Sequence, residues 1–121
     1  MFINHTNHPA EHWSETQRRA AEDYGEIRDV PFPSVAPESS AAEVQQLAEA
    51  QAAELIAMAP TAVLCQGEFT YTYHMVRCLQ QAGILVLAAC SERVSRETVD
   101  EQGASHRVSE FRFVQFRSYG E

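Results

Sequence analysis

Seven consecutive apolar residues, "ILVLAAC" from Ile84 to Cys90, follow a helix-ending glycine at Gly83. A run of Val, Leu and Ile that does not alternate with polar residues has both faces buried, as a parallel strand between layers of helices does. The run is far shorter than the roughly 20 residues a membrane span needs. This one feature directs the chain toward an α/β fold, with Ile84 to Cys90 as the middle strand of the sheet.

The remaining segments fit the same plan. Phe2-Ile3 reads as a first short strand, and Ser14 with Gln17 has the form of a capping box that starts a helix near Glu15. That helix runs to Tyr24 and ends at Gly25. Glu26 to Val30 reads as a second strand, closed by "PFPSVAP", whose prolines forbid regular pairing. Ser40 and Glu43 form a second capping box, and Val44, Leu47, Ala48, Gln51, Leu55 and Met58 recur at helical spacing until Pro60. "TAVLC" reads as a third, buried strand and "QGEFT" as a turn, with a third helix from Thr70 to Gln81. Beyond Ser91 no helical period appears before the aromatic strand "EFRFVQFRSY", and Asp100 to Ser105 reads as a hairpin turn. The expected fold is a single α/β domain over residues 1–121, a minimal Rossmann-like three-layer sandwich with a mostly parallel sheet and a C-terminal hairpin.

Charge narrows the partners. Nine Lys+Arg against 17 Asp+Glu give a net charge of -8, and every one of the nine is arginine. Long DNA or RNA demands a broad basic surface, so it is not expected as a partner. A small anion needs only a few arginines and helix N-termini. Cys65, Cys78 and Cys90 are odd in number and set among apolar residues, which suits reduced thiols. With no secretory signal and no membrane span in view, the cytoplasm is the expected location and no membrane partner is expected.

In open parallel sheets ligands bind beyond the carboxyl ends of the strands. Three segments follow strands in this way: "NHTNHP", "QGEFT" and "CSER". Asn4, His5, Thr6, Asn7 and His8 offer hydrogen bonds at a strand-to-helix junction, and either His5 or His8 can exchange a proton near neutral pH. A hydrated turn shaped by Asn and Pro is the plainer reading of either histidine alone, whereas the cluster as a whole, at that junction, points to function. His5, His8 and His12 are spaced like metal ligands only until Pro9 breaks the segment, so no metal and no cofactor is expected. Gly67 permits close approach to backbone, yet with no second glycine it is not a phosphate-loop motif. Gln66 and Thr70 are candidates to touch a base, ribose or phosphate, and Tyr71 and Tyr73 to stack on a base. Glu68 either caps its helix or contacts ligand. Ser91 and Arg93 stand just past the fourth strand, where a guanidinium grips phosphate in a forked contact; an ion pair with Glu92 or Glu68 is the plainer role.

The chain resembles the small stand-alone CRISPR-associated proteins of type III systems that have a minimal CARF-like (CRISPR-associated Rossmann) fold. The resemblance rests on "NHP" and W-S-x-x-Q after the first strand, "DVPFP" after the second, "QGEFT" after the third, "SER" after the fourth and "FRFVQFR" at the end. It implies a homodimer that binds a cyclic oligoadenylate, most often the four-membered ring, across its two-fold axis. Several such proteins are ring nucleases, which degrade this second messenger and silence the nucleases it activates. Their chemistry is metal-free: a ribose 2′-hydroxyl attacks the adjacent phosphate and leaves a 2′,3′-cyclic phosphate. On that reading His5, His8 and Arg93 carry catalysis, while Asn4, Thr6, Asn7, Gln66, Gly67, Glu68, Thr70 and Ser91 bind ligand. Two other expectations compete: a sensor that binds the ring intact, and an unrelated nucleotide-processing enzyme with Glu68 as nucleophile.

Overall fold

A computed structural model describes residues 1–120. Four strands run parallel or extend the parallel sheet: β1 (Phe2–His5), β2 (Ile27–Asp29), β3 (Ala62–Cys65) and β4 (Leu85–Val99), with β5 (Ser105–Ser118) returning beside β4. The helices are α1 (Glu15–Glu22), α2 (Ala41–Ala57) and α3 (Phe69–Gln81), with one 3₁₀ turn at Ala10–His12. The sheet order is β2-β1-β3-β4-β5, parallel except for the antiparallel β4–β5 pair. The fold is a Rossmann-like α/β sandwich.

Period-two alternation builds its layers. Phe2, Ala62, Leu64 and Leu87 face α1 and pack with Ala21, Trp13, Tyr24 and Phe116. Their sequence neighbours Ile3, Val63, Cys65 and Val86 face the other way, onto Val44, Ala48, Ala52 and Leu55 of α2 and Met75, Val76 and Leu79 of α3. Small alanines let α2 pack closely against α3. Its capping box is complete: Glu43 N donates to Ser40 Oγ at 3.1 Å, and Ser40 N donates to the Glu43 carboxylate at 2.9 Å. At α1 only half the box forms, with Gln17 N donating to Ser14 Oγ.

Three expectations are corrected. The middle strand is β3 rather than the Ile84–Cys90 run, because the chain returns beyond β4 to add β5 on its outer side. β1 reaches past Ile3 to His5, since all four of its residues pair with β3. β4 does not stop at Cys90: "SERVSRETV" continues it to Val99. Only β4 and β5 pair beyond Leu87, so residues 91–99 and 105–113 form a two-stranded arm standing clear of the sheet. A register shift at Cys90/Ser91, which leaves Val114 without an opposite number, marks where the arm departs. The hairpin turn falls where the sequence places it, with Asp100 Oδ1 accepting from Gln102 N and Ala104 N, both at 2.9 Å.

Ser40→Ala removes the α2 cap acceptor at an exposed site. It is expected to lower unfolding free energy by about 1 kcal/mol, read by chemical denaturation, without altering the folded-state circular dichroism.

Candidate functional site

The chain leaves β1 toward β2 on one side and returns to β3 on the other. Such a reversal opens a crevice between the loops that follow the two strands. A cleft of about 720 Å³ lies there, between the β1 loop, the end of β3 and the root of the arm. Thr6, Asn7 and His8 supply one wall, Gln66 and Gly67 the floor, and Ser91, Phe111 and Phe113 the arm side.

The β1 loop is fixed by its own polar groups. Asn4 is buried, and its amide nitrogen donates to the His8 carbonyl at 2.9 Å and to Asp29 Oδ1 at 2.8 Å. Thr6 Oγ1 donates to Asn4 Oδ1 at 2.8 Å and accepts from His8 N at 3.1 Å. Trp13 Nε1 adds a donation to the same His8 carbonyl, and Ala10 N one to Asp29 Oδ1. Asn4 therefore holds the loop instead of meeting ligand. The side chains of Asn7 and His8 stay exposed.

His5 is placed differently from the expectation that it serves as acid or base. Its exposure is 0%. Nδ1 lies 2.7 Å from the Val30 carbonyl and Nε2 lies 2.7 Å from the Tyr71 hydroxyl. A carbonyl only accepts, so Nδ1 carries the proton and Nε2 accepts from Tyr71. The rings of Phe32 and Tyr71 enclose it, at centroid distances of 5.4 and 5.7 Å. Desolvation lowers the His5 pKa against the smaller opposing pull of the Val30 carbonyl, so the imidazole is a neutral core strut.

The "QGEFT" residues divide. Gln66 Oε1 accepts from Ala89 N at 2.6 Å, tying the floor of the cleft to β4. Gly67 is required by packing: a Cβ there would sit 2.4 to 2.7 Å from the Phe32 ring, so the close approach it permits is by a side chain of the protein. Glu68 is the cap of α3, accepting from Tyr71 N at 2.7 Å and from Thr70 Oγ1 at 2.6 Å, and those bonds hold its carboxyl below the usual range. Neither Glu68 nor Thr70 lines the cleft, and Glu68 is engaged as a cap, away from the position a nucleophile would need. Tyr71 is core.

Ser91 reaches the cleft, whereas Arg93 does not line it. Arg93 lies within β4 opposite Phe111, two residues farther along the arm on the face that Ser91 shares, and donates to Ser109 Oγ at 3.3 Å, outward from the cleft. Sequence reasoning missed His12, Trp13, Ser14, Gln17, Phe111 and Phe113 as cleft residues. His12 was weighed as a metal ligand, and the two phenylalanines were placed in a terminal strand with no neighbour specified. Among the described residues no cluster of His, Cys, Asp or Glu is arranged to hold a metal. The three cysteines are unpaired; burial pushes the Cys65 thiol up to about 12, so it stays protonated.

Because His5 resists protonation only when folded, the unfolded chain binds the extra proton first as pH falls through its ordinary value of 6.5. Stability is then full above that value and is lost toward the lowered folded value. Between about pH 7.5 and pH 5.5 the unfolding free energy of the native chain is expected to fall more steeply than that of His5→Gln. Equal slopes would show that His5 titrates normally in the fold.

A family model described as the Uncharacterized protein MJ1673 family matches residues 1–117. Among curated proteins and solved structures there is no match. With nearly its whole length matched, the chain belongs to the Uncharacterized protein MJ1673 family.

Proposed function

We propose that the cleft binds a cyclic oligoadenylate, with the four-membered ring the first choice, and cleaves it without metal. The observation that carries this reading is the pair of exposed histidines, His8 and His12, in a crevice at the β1/β3 switch point. The motif resemblance supplies the ligand class. One imidazole takes the proton of a ribose 2′-hydroxyl as its oxygen bonds to phosphorus; the other protonates the departing 5′-oxygen as the P–O5′ bond breaks. The products are a 2′,3′-cyclic phosphate and a 5′-hydroxyl. Ser91, Asn7 and Gln66 orient ribose and base, and Arg93, turning in from the arm, supplies the cation that the cleft lining lacks. Cleavage would silence nucleases that the intact ring switches on. Unpaired thiols fit the reducing cytoplasm as the compartment.

A homodimer is the assembly that suits a two-fold symmetric ring. The arm is the surface proposed to meet the second copy. A free two-stranded ribbon is marginal in water, and this one exposes Val99, Val108 and Phe111 at 70%, 41% and 76%. Its Arg96–Glu110 and Arg107–Glu97 pairs are charges a second copy can match.

One observation favours a second reading, a sensor that leaves the ring intact. Among the residues that line the cleft there is no arginine or lysine to stabilise a pentavalent phosphate.

Incubation with cyclic tri-, tetra- and hexa-adenylate in EDTA distinguishes the two. The enzyme reading expects linear products ending in a cyclic phosphate, with His8→Ala and His12→Ala each lowering kcat by about 100-fold or more and Arg93→Ala raising KM. Tight binding of an intact ring would establish the sensor, and neither binding nor cleavage would overturn both.

A further inference from the structure

A second cavity, of about 500 Å³, opens between α3 and the C-terminal segment on the other side of Gln66 and Gly67. Phe69 and Tyr73 stand one helical turn apart there and are 90% and 54% exposed. Tyr119 closes the opposite side, pinned by its hydroxyl donating to the Cys65 carbonyl at 2.6 Å. Arg77 is stacked over the Tyr73 ring, 5.4 Å from its centroid, and donates to the Tyr73 hydroxyl at 2.6 Å, so ring and cation are held together.

One polar group of this wall is turned away from the cavity: Thr72 is 8% exposed, and its Oγ1 is buried beside the Cys65 thiol. Gln66 adds an amide nitrogen whose partner oxygen is already committed to Ala89.

An aliphatic ligand would fill the aromatic walls and leave Gln66 and Arg77 unused. A planar heteroaromatic ring uses both: its face stacks on Tyr73 or Phe69 beside the Arg77 cation, and its nitrogen edge meets the Gln66 amide. We propose that this slot is a nucleobase subsite, taking the purine ring of a nucleotide whose ribose and phosphate continue over Gly67 into the histidine cleft. Gln66 and Gly67 line both cavities, so a single ligand of two or more nucleotides spans them. The identity of the ligand rests on the nucleotide reading of the cleft; the slot itself rests on α3 and Tyr119.

The test titrates the full chain with 2-aminopurine riboside 5′-monophosphate, whose fluorescence is quenched on stacking. Quenching is expected, reversed by 5′-AMP and not by ribose 5-phosphate. Tyr73→Ala is expected to weaken the probe about tenfold or more. Tyr73→Phe, which keeps the ring, should bind the probe within about twofold of the native chain, a rescue that loss of folding would not give. Quenching in a protein that neither binds nor cleaves cyclic oligoadenylates would keep the slot and remove the cleft reading. Cleavage with unchanged KM in Tyr73→Ala, and no quenching in the native chain, would keep the cleft and overturn the slot. A native dimer that Phe69→Ala or Tyr73→Ala converts to monomer, with no probe bound by either form, would also overturn it, by making this face an interface between copies.

Discussion

The neutral imidazole of His5 joins three elements at the mouth of the crevice. It sits at the last residue of β1, donates to the carbonyl that follows β2 and accepts from the first turn of α3. Only one tautomer satisfies both partners, and burial keeps the ring in it. Phe32 packs across this junction, 4.7 Å from the Tyr71 ring, and Gly67 must lack a side chain to admit it. The position of the Gln66-Gly67 floor thus follows from a core histidine and not from any ligand.

The wall opposite that floor depends on Asn4 and Thr6 in a similar way. Their side chains satisfy backbone groups of the β1 loop, so the loop is ordered before anything binds. An ordered loop spares a ligand the entropy of fixing it. What remains outward is a small set, Asn7, His8 and His12, facing the aromatic root of the arm. Polar donors on one side and phenylalanines on the other suit a ligand with alternating charged and planar parts.

Local signals carried the elements well. Ser40-x-x-Glu43, Gly83 and the alanine spacing of α2 act within a few residues, so their consequences are readable along the chain. The three strand-end segments were also legible, since a parallel sheet sends its ligand to one edge. What failed depended on contacts distant in sequence. His5 and His8 are alike in type and neighbourhood, and only Val30 and Tyr71, 25 and 66 residues away, turn one into core. Gly67 resembled a loop glycine because its neighbour Phe32 is invisible locally. The extension of β4 was hidden by its polar residues: a ribbon with both faces exposed has no apolar alternation to betray it. Arg93 consequently moved from a strand tip to the side of the arm.

The central claim is that ligand enters where the chain reverses between β1 and β3. Backbone amide chemical shifts of the full chain, followed during titration with cyclic tetra-adenylate in EDTA, test it most directly. The account predicts the largest shifts at Thr6 to Ser14, Gln66, Gly67 and Ser91. Shifts confined to α2 and the β2 edge, with those loops unmoved, would contradict it.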